Sequence, residues 1–373
     1  MRPDLLPARP LRNLAALWLA AFAAGVGAQP APEPTMSPVE RAKVLRLLTW
    51  TDFAPADVIA QFEKESGYKV QVVTASNDDM IGRLRQSGGD GFDLAQPSQD
   101  RIAPAQKDHR IYRPFDLSRV KVERFNPVLL EATQRITAVE GRGYALPHIW
   151  GTDGLVVHAK QAAKVADYGD LCKPELKGKT SVRLWRPTVL GFAFAMGKDP
   201  FALAGNRKAY AALMDEVGKR LAECKPNLRF HWDNKDRVLG AMRTGELVAA
   251  MVWDRGGWTL ASERPEFRYI APRSGALGWV DTFALPANAR NEDAAYAWIN
   301  FNLRPEIAAK VARSTGNLTA VKDAEALADD KRAAFYAASF PAAALRQIRW
   351  YPPMPPGLEE YEVRALERAR GGP

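Results

Sequence analysis

Aromatic side chains sit beside carboxylates, hydroxyls or an arginine wherever this chain is expected to turn. Trp50, Thr51, Asp52 and Phe53 form one group, and Ser98 with Asp100 a second. Trp253, Asp254 and Arg255 form a third, and Trp279 with Asp281 a fourth, while Trp150 stands apart. An indole face attracts a cation by about 0.5–2 kcal/mol, depending on desolvation, and a nearby carboxylate adds Coulomb attraction. This set of side chains is suited to holding an organic cation. Core packing is the plainer reading for Trp258 and Trp298, the latter in a helix of ordinary core periodicity. Trp50 and Trp253 each end a strand, which makes that reading weaker for them. Asp52 can also be a mere helix cap between two buried rings.

Other chemistries lack their residues. The four histidines, His109, His148, His158 and His231, have no metal-type spacing, and HExxH and CxxC are absent, so no dedicated metal site is expected. No GxGxxG follows a strand, and neither a P-loop nor a GxSxG elbow is present, which removes the commonest nucleotide and serine-hydrolase signatures. The pairs Asp78-Asp79 and Asp329-Asp330 sit at polar helix starts, where capping explains them. The balance favours a binding protein without a cofactor over an enzyme.

The elements that must position these groups are α/β in pattern. Leu45, Leu47 and Leu48 read as a buried strand, and Pro55 opens a helix whose Val58, Ile59 and Phe62 share one face. Asp52 or Thr51 can cap that helix and Gly67 ends it. A strand over Lys69–Val73 completes a strand–helix–strand unit, so the Trp50–Phe53 turn lies at a strand's carboxyl end, where open α/β sheets bind ligands. A helix over Asn77–Gln86 and a short strand over Phe92–Gln96 follow, and Pro97-Ser98-Gln99-Asp100 repeats the turn. The segment Asp108–Glu140 reads as irregular. Tyr144–Gly151 reads as a strand leaving the first unit, and Thr152–His158 as a new one. The second unit has strands at Ser181–Leu184, Leu228–His231 and Leu247–Trp253, and helices at Pro187–Met196, Arg207–Ala222 and Asn234–Arg243. The run LVAAMVW is apolar throughout, as a strand covered on both faces should be. After Asp254-Arg255-Gly256-Gly257 come strands at Phe267–Ala271 and Trp279–Leu285. Helices at Glu292–Asn302 and Pro305–Arg313 follow, then a proline-rich stretch and a charged helix from Leu358.

The chain of 373 residues is long enough for two domains. Arg2, Arg9 and Arg12 precede an apolar run, Leu14–Val26, and Val26-Gly27-Ala28 supplies small residues. Residues 1–28 therefore read as a signal peptide cleaved near Ala28, and the run is short for a membrane span. Residues 29–44, with four prolines, read as a disordered leader. The net charge of +9 is scattered among acids, without the basic stripe that nucleic acid requires. Export permits a disulfide. Cys172 and Cys224 each precede Lys-Pro and a strand, so parallel neighbouring strands would bring them together. A bridge closing about 50 residues would add roughly 3–4 kcal/mol; two free buried thiols are the alternative.

The stretches LTWTDFAPADVIAQFEKESGYKV, FDLAQPS, LPHIWGTDGLVVH, LKGKTSV, LVAAMVWD and WVDTFALPANARNEDAAYAWINFNLRPEIAAKV resemble the periplasmic solute-binding proteins of spermidine/putrescine-type ABC importers. The resemblance runs from about Leu45 to Ala320. It implies the type II periplasmic binding protein fold, with two α/β lobes joined by crossover strands around a ligand cleft. The lobes would comprise residues 45–149 plus 255–316 and residues 150–254 plus 317–373, with crossovers near Trp150, Trp253–Gly257 and Gly316–Asn317. It implies a monomer that closes on a small amine ligand and hands it to a membrane permease, without catalysis. An exported enzyme or a periplasmic sensor on the same fold is the alternative, and a ferric-ion carrier would need clustered tyrosines or histidines that only Tyr351 hints at.

By the same resemblance, Trp50, Thr51, Asp52 and Phe53 match the ligand-holding turn, with Phe53 in place of the usual tyrosine. Ser98, Trp253 and Asp281 match further ligand positions. The other half departs. Where the family carries acids, this chain reads Arg183-Leu184-Trp185-Arg186-Pro187-Thr188, and Asn317 stands near the later crossover. Arginine forks suit carboxylates and phosphonates. If Arg183 or Arg186 faces the cleft, the ligand should pair an amine with an anionic end, as a zwitterionic analogue does. If both face solvent and Trp185 lines the cleft, Asp52, Asp100, Asp254 and Asp281 suffice for putrescine or spermidine.

Overall fold

The computed structural model describes residues 43–328 and 330–371; the expected signal peptide, the leader up to residue 42 and Asp329 lie outside them. The apolar strand β1 (Val44–Thr49) is flanked by helix α1 (Ala56–Ser66) and parallel strand β2 (Lys69–Thr74). Val58 and Phe62 are the buried face of α1, and Gly67 closes it at φ 76, a left-handed conformation that glycine takes without steric cost. Its start differs from expectation. Pro55 occupies the cap position and no side chain caps the helix, because Asp52 lies upstream of it in a left-handed turn at φ 68.

Helix α2 (Asn77–Gln86) is capped by Ser76, and strand β3 (Leu94–Ala95) pairs parallel with β1 on the side away from β2. Helix α3 (Gln99–His109) starts after Ser98. The segment expected to be irregular holds helix α4 (Pro127–Ile136). The Asn126 side chain accepts from the Val128 amide and Pro127 sits at the first helical position, a start signal that fixes the helix locally.

Tyr144–Gly151 and Thr152–His158 do not form separate strands. One continuous strand, β4 (Leu146–His158), runs through them. Gly151 and Gly154 look like breaks in the sequence, but each leaves room for an aromatic side chain, Trp279 over Gly151 and Tyr269 over Gly154. β5 (Thr180–Arg183), helix α5 (Arg186–Ala195), helix α6 (Arg207–Cys224), β6 (Leu228–Trp232), helix α7 (Lys235–Arg243) and β7 (Ala249–Trp253) follow. The chain then enters a helix, α8 (Asp254–Glu263), rather than the expected turn, before β8 (Phe267–Ile270) and β9 (Leu277–Phe283). Helices α9 (Glu292–Asn302) and α10 (Pro305–Thr315) lead to β10 (Leu318–Thr319), and a late strand β11 (Arg349–Trp350) precedes the last helix, Glu359–Arg370.

β4 organises the larger sheet, whose order is β11-β9-β4-β7-β5-β6, with β8 and β10 also on β4. Its first half pairs antiparallel with β9 and β10, its second half with β7 and β8. β5 lies parallel to β6. That pairing brings the preceding residues together, and Cys172 and Cys224 are disulfide-bonded. The two largest apolar clusters lie around Phe62, Trp298 and Trp150 and around Tyr168, Phe192 and Tyr210, and a smaller one around Leu48, Met80 and Ile102. Trp258 and Trp298 are both core residues.

Candidate ligand-binding site

Strand register decides which side chains share a surface. In β4 and β9, Asp153 faces Leu277, Gly151 faces Trp279 and Ile149 faces Asp281; across β4 and β7, Asp153 faces Trp253. Side chains alternate along a strand and directly paired residues point to the same side. Trp253, Trp279, Asp281 and Asp153 therefore share one face of the sheet. Trp150, Thr152 and Val280 take the other. Trp150 is 1% exposed and donates its indole N–H to the Thr319 carbonyl, so it is a core residue.

β3 approaches this face from the smaller sheet, through isolated bridges Ala95–Ala284 and Ser98–Asp281. The Ser98 hydroxyl donates to the Asp281 carboxylate at 2.5 Å, across 183 residues of chain. Asn77 fixes Ser98, accepting from its amide and donating to its hydroxyl, both at 2.9 Å. Asp281 is buried and forms no ion pair among the described residues. Burial pushes its carboxyl up to about 7; the Ser98 bond opposes the rise and the charge of Asp100 adds to it. Burial also raises Asp100, against the opposing charges of Arg101 and Arg186.

The first turn is held from behind. Trp50 donates its indole N–H to the Gln96 carbonyl at 2.8 Å. The Gln96 side chain accepts from the Thr49 hydroxyl and pairs with His148 Nδ1 at 2.7 Å. His148 is fully buried, which pulls its pKa down to about 3, so it remains neutral; its ring stacks on Phe283 and meets Phe53 edge-on. Phe53 is buried, whereas Thr51 and Asp52 are exposed.

Trp253 is half-buried and leans on Trp232, with centroids 5.4 Å apart. Asp254 is turned inward. Its carboxylate accepts from the amide and hydroxyl of Thr152 and from the Arg255 amide, a role fixing β4 to the start of α8. Arg255 reaches across to the Thr315 carbonyl at the end of α10. Arg186 and Arg183 have local partners. Arg186 pairs with Glu362 of the last helix at 2.9 Å, and Tyr210 donates to the same carboxylate at 2.6 Å. Arg183 lies over the Trp185 ring at 4.1 Å, and Trp185 is exposed. Asn317 is half-buried, its amide on the Thr315 hydroxyl.

Thus Ser98, Asp100, Trp253, Trp279 and Asp281 are brought near one face, while Asp254 and Trp150 are turned away from it. Sequence reasoning did not single out Asp153 or Glu362, and it named Tyr351 and His148 only in weighing metal chemistry. Alternation with the Gly151 position could have flagged Asp153 only with the register of β4 and β9 in hand. No cluster of three or more metal-ligating groups occurs among the described residues, and no helix among them is long and apolar enough to cross a membrane.

Similarity to known proteins agrees with this geometry. The spermidine/putrescine-binding periplasmic protein of Escherichia coli is 29% identical over 278 residues, 73% of this chain and 76% of that protein. The putrescine-binding periplasmic protein PotF of the same organism is 28% identical over 293 residues, 72% of this chain and 75% of that protein. In fold, the chain superposes on the spermidine/putrescine ABC transporter substrate-binding protein PotD from Streptococcus pneumoniae with a TM-score of 0.70 at 22% identity, covering 88% of this chain and 99% of that one. Residues 57–338 match the profile of the bacterial extracellular solute-binding proteins. With a two-lobed α/β architecture and that match across most of its length, the chain belongs to the family of bacterial extracellular solute-binding proteins.

Proposed function

We propose that this protein captures a polyamine-class cation, putrescine or spermidine, between its lobes in the periplasm. It then closes on the ligand and delivers it to the membrane permease of an ABC importer, without converting it. The observation that carries this reading is Asp281. A buried carboxylate with a hydroxyl partner but no counter-cation, on one face with two indoles, is completed by an ammonium group. The names of the relatives support the same ligand class, and their periplasmic location supports export with cleavage near Ala28. The pairing of Arg186 with Glu362 supports a polyamine over an amine-plus-anion compound, because a neutralised guanidinium offers little to a ligand carboxylate.

The test is a thermal-shift series on mature protein refolded to remove carried-over ligand, with putrescine, spermidine, γ-aminobutyrate and aminoethylphosphonate. At a hundred times its dissociation constant a ligand stabilises by about 2.7 kcal/mol. A shift with putrescine or spermidine is expected. A shift confined to the two zwitterions would instead assign the far end of the cleft to Arg183 or Arg186, and no shift with any amine would sink the proposal.

A further inference from the structure

A diamine needs two anionic ends, and Asp281 supplies one. The β5–α5 turn does not supply the other, since its charged residues are arginines. Asp153 does not stand out in the sequence, lying within the run Gly151-Thr152-Asp153-Gly154 of β4. It is 5% exposed. Among the described residues its carboxylate accepts no hydrogen bond and forms no ion pair within 4 Å, although its backbone carbonyl accepts from Tyr168. Burial and the charge of Asp254 push its carboxyl up to about 7, against the opposing charge of Arg183. A carboxylate so largely buried and so poorly satisfied is costly unless a cation arrives.

We propose that Asp153 is the second carboxylate of the cleft and receives the distal ammonium of a diamine whose first ammonium sits at Asp281. The inference rests on the amine-binding reading above and assigns the far end of that site. Asp153 pairs with Leu277 and Asp281 lies four residues further along β9, about 13 Å at the usual strand rise. A four-carbon diamine with a hydrogen bond of about 2.8 Å at each end spans a comparable distance. Trp279 lies between them on the same face, its ring over Gly151, and offers a flat apolar surface to the methylene chain. Tyr351 adds a neighbouring acceptor. Its amide donates to the Gly278 carbonyl of β9, and its hydroxyl is buried without a partner among the described residues.

Isothermal titration of the full mature chain with putrescine, and with n-butylamine by competition, tests the assignment. Asp153→Asn is expected to weaken putrescine at least tenfold and to leave butylamine unchanged, whereas Asp281→Asn weakens both. Unchanged putrescine affinity in Asp153→Asn would overturn the assignment and make Asp153 a counter-charge to Arg183. Equal losses for both amines would also overturn it, marking a structural role. A wild-type measurement stands independently of how the variant folds. Below pH 7 the logarithm of putrescine affinity should fall more steeply with acidity than that of butylamine, because only the diamine engages the second carboxylate, and equal slopes refute the proposal. The groups facing Asp153 in that titration are Asp254, Arg183, Tyr168, Tyr269 and Tyr351. Wild-type protein that binds neither amine would defeat the amine-binding reading itself, a result distinct from a wild type that binds putrescine with an indifferent Asp153.

Discussion

At the scale of single residues, the face proposed to bind ligand carries two buried carboxylates, neither of which forms an ion pair among the described residues. Asp281 and Asp153 are both held up to about 7 by burial. The folded protein therefore binds protons at these two positions that the unfolded chain releases near pH 4. Their contribution to the stability of the ligand-free protein is complete below about pH 4 and is lost as the pH rises through about 7. His148 runs the other way. Held down to about 3, it contributes above its unfolded value near 6.5 and loses that contribution as the pH falls toward 3. An ammonium ligand needs the ionised carboxylate. Its affinity is expected to be flat above about pH 8 and to fall by about tenfold or more per pH unit below 7, as titration calorimetry across pH 5 to 9 would read. Affinity independent of pH over that range would mean that neither buried carboxylate meets the ligand. The groups facing Asp281 in that titration are Ser98 and Asp100.

At the scale of elements, short local signals place each piece and non-local pairing gives it a task. The strand–helix–strand unit from Val44 to Thr74 presents Trp50 at a strand end, and the Asn-Pro start of α4 was as local a signal as any, though hidden in a segment of low periodicity. In the second unit the parallel pair β5–β6 carries the Cys172–Cys224 disulfide just before its strands. The same unit ends in the Arg186–Glu362–Tyr210 cluster, which ties the start of α5 to the last helix; that helix packs so closely on α6 that a Cβ at Gly218 would lie 3.0 Å from the Ala365 Cα. The bridge closes a separation of 52 residues, for which chain entropy predicts about 3–4 kcal/mol. Reduction is accordingly expected to lower the melting temperature by several degrees while leaving the site's strand pairings, and so amine affinity below the melting point, unchanged. An unaltered melting temperature in reductant, with thiol titration showing two free cysteines, would contradict this.

For the whole molecule, three chain segments pass through or beside β4. They are β4 itself, the β7–α8 junction pinned by Asp254 to Thr152, and β10 with the Arg255–Thr315 contact beside it. The side chains proposed to hold the ligand lie on both sides of this region, with Ser98 and Asp100 from the smaller sheet's side and Asp153 and Trp253 from the β7 side. A cation bridging them gains most when the two sides approach, which is the energetic basis for hinge closure. Small-angle scattering is expected to show a smaller radius of gyration with saturating putrescine than without ligand, and identical profiles would argue against closure on binding.

The sequence by itself determined the α/β pattern, most helices after Leu45 though not those at Pro127–Ile136 and Asp254–Glu263, a Cys172–Cys224 bridge as one of two options, the absence of familiar catalytic motifs and a family resemblance. Those features follow from local periodicity, caps and short motifs, which are written in neighbouring residues. It named Ser98 and Asp281 separately. Only the tertiary structure decided that they touch, that Asp254 faces inward, that Arg186 is neutralised by Glu362, and that β4 is one strand whose Asp153 shares a face with Trp253 and Trp279. The reason is physical. These depend on contacts between segments about 100 to 183 residues apart, and in the sheet a shift of one residue in register would send every side chain to the opposite face.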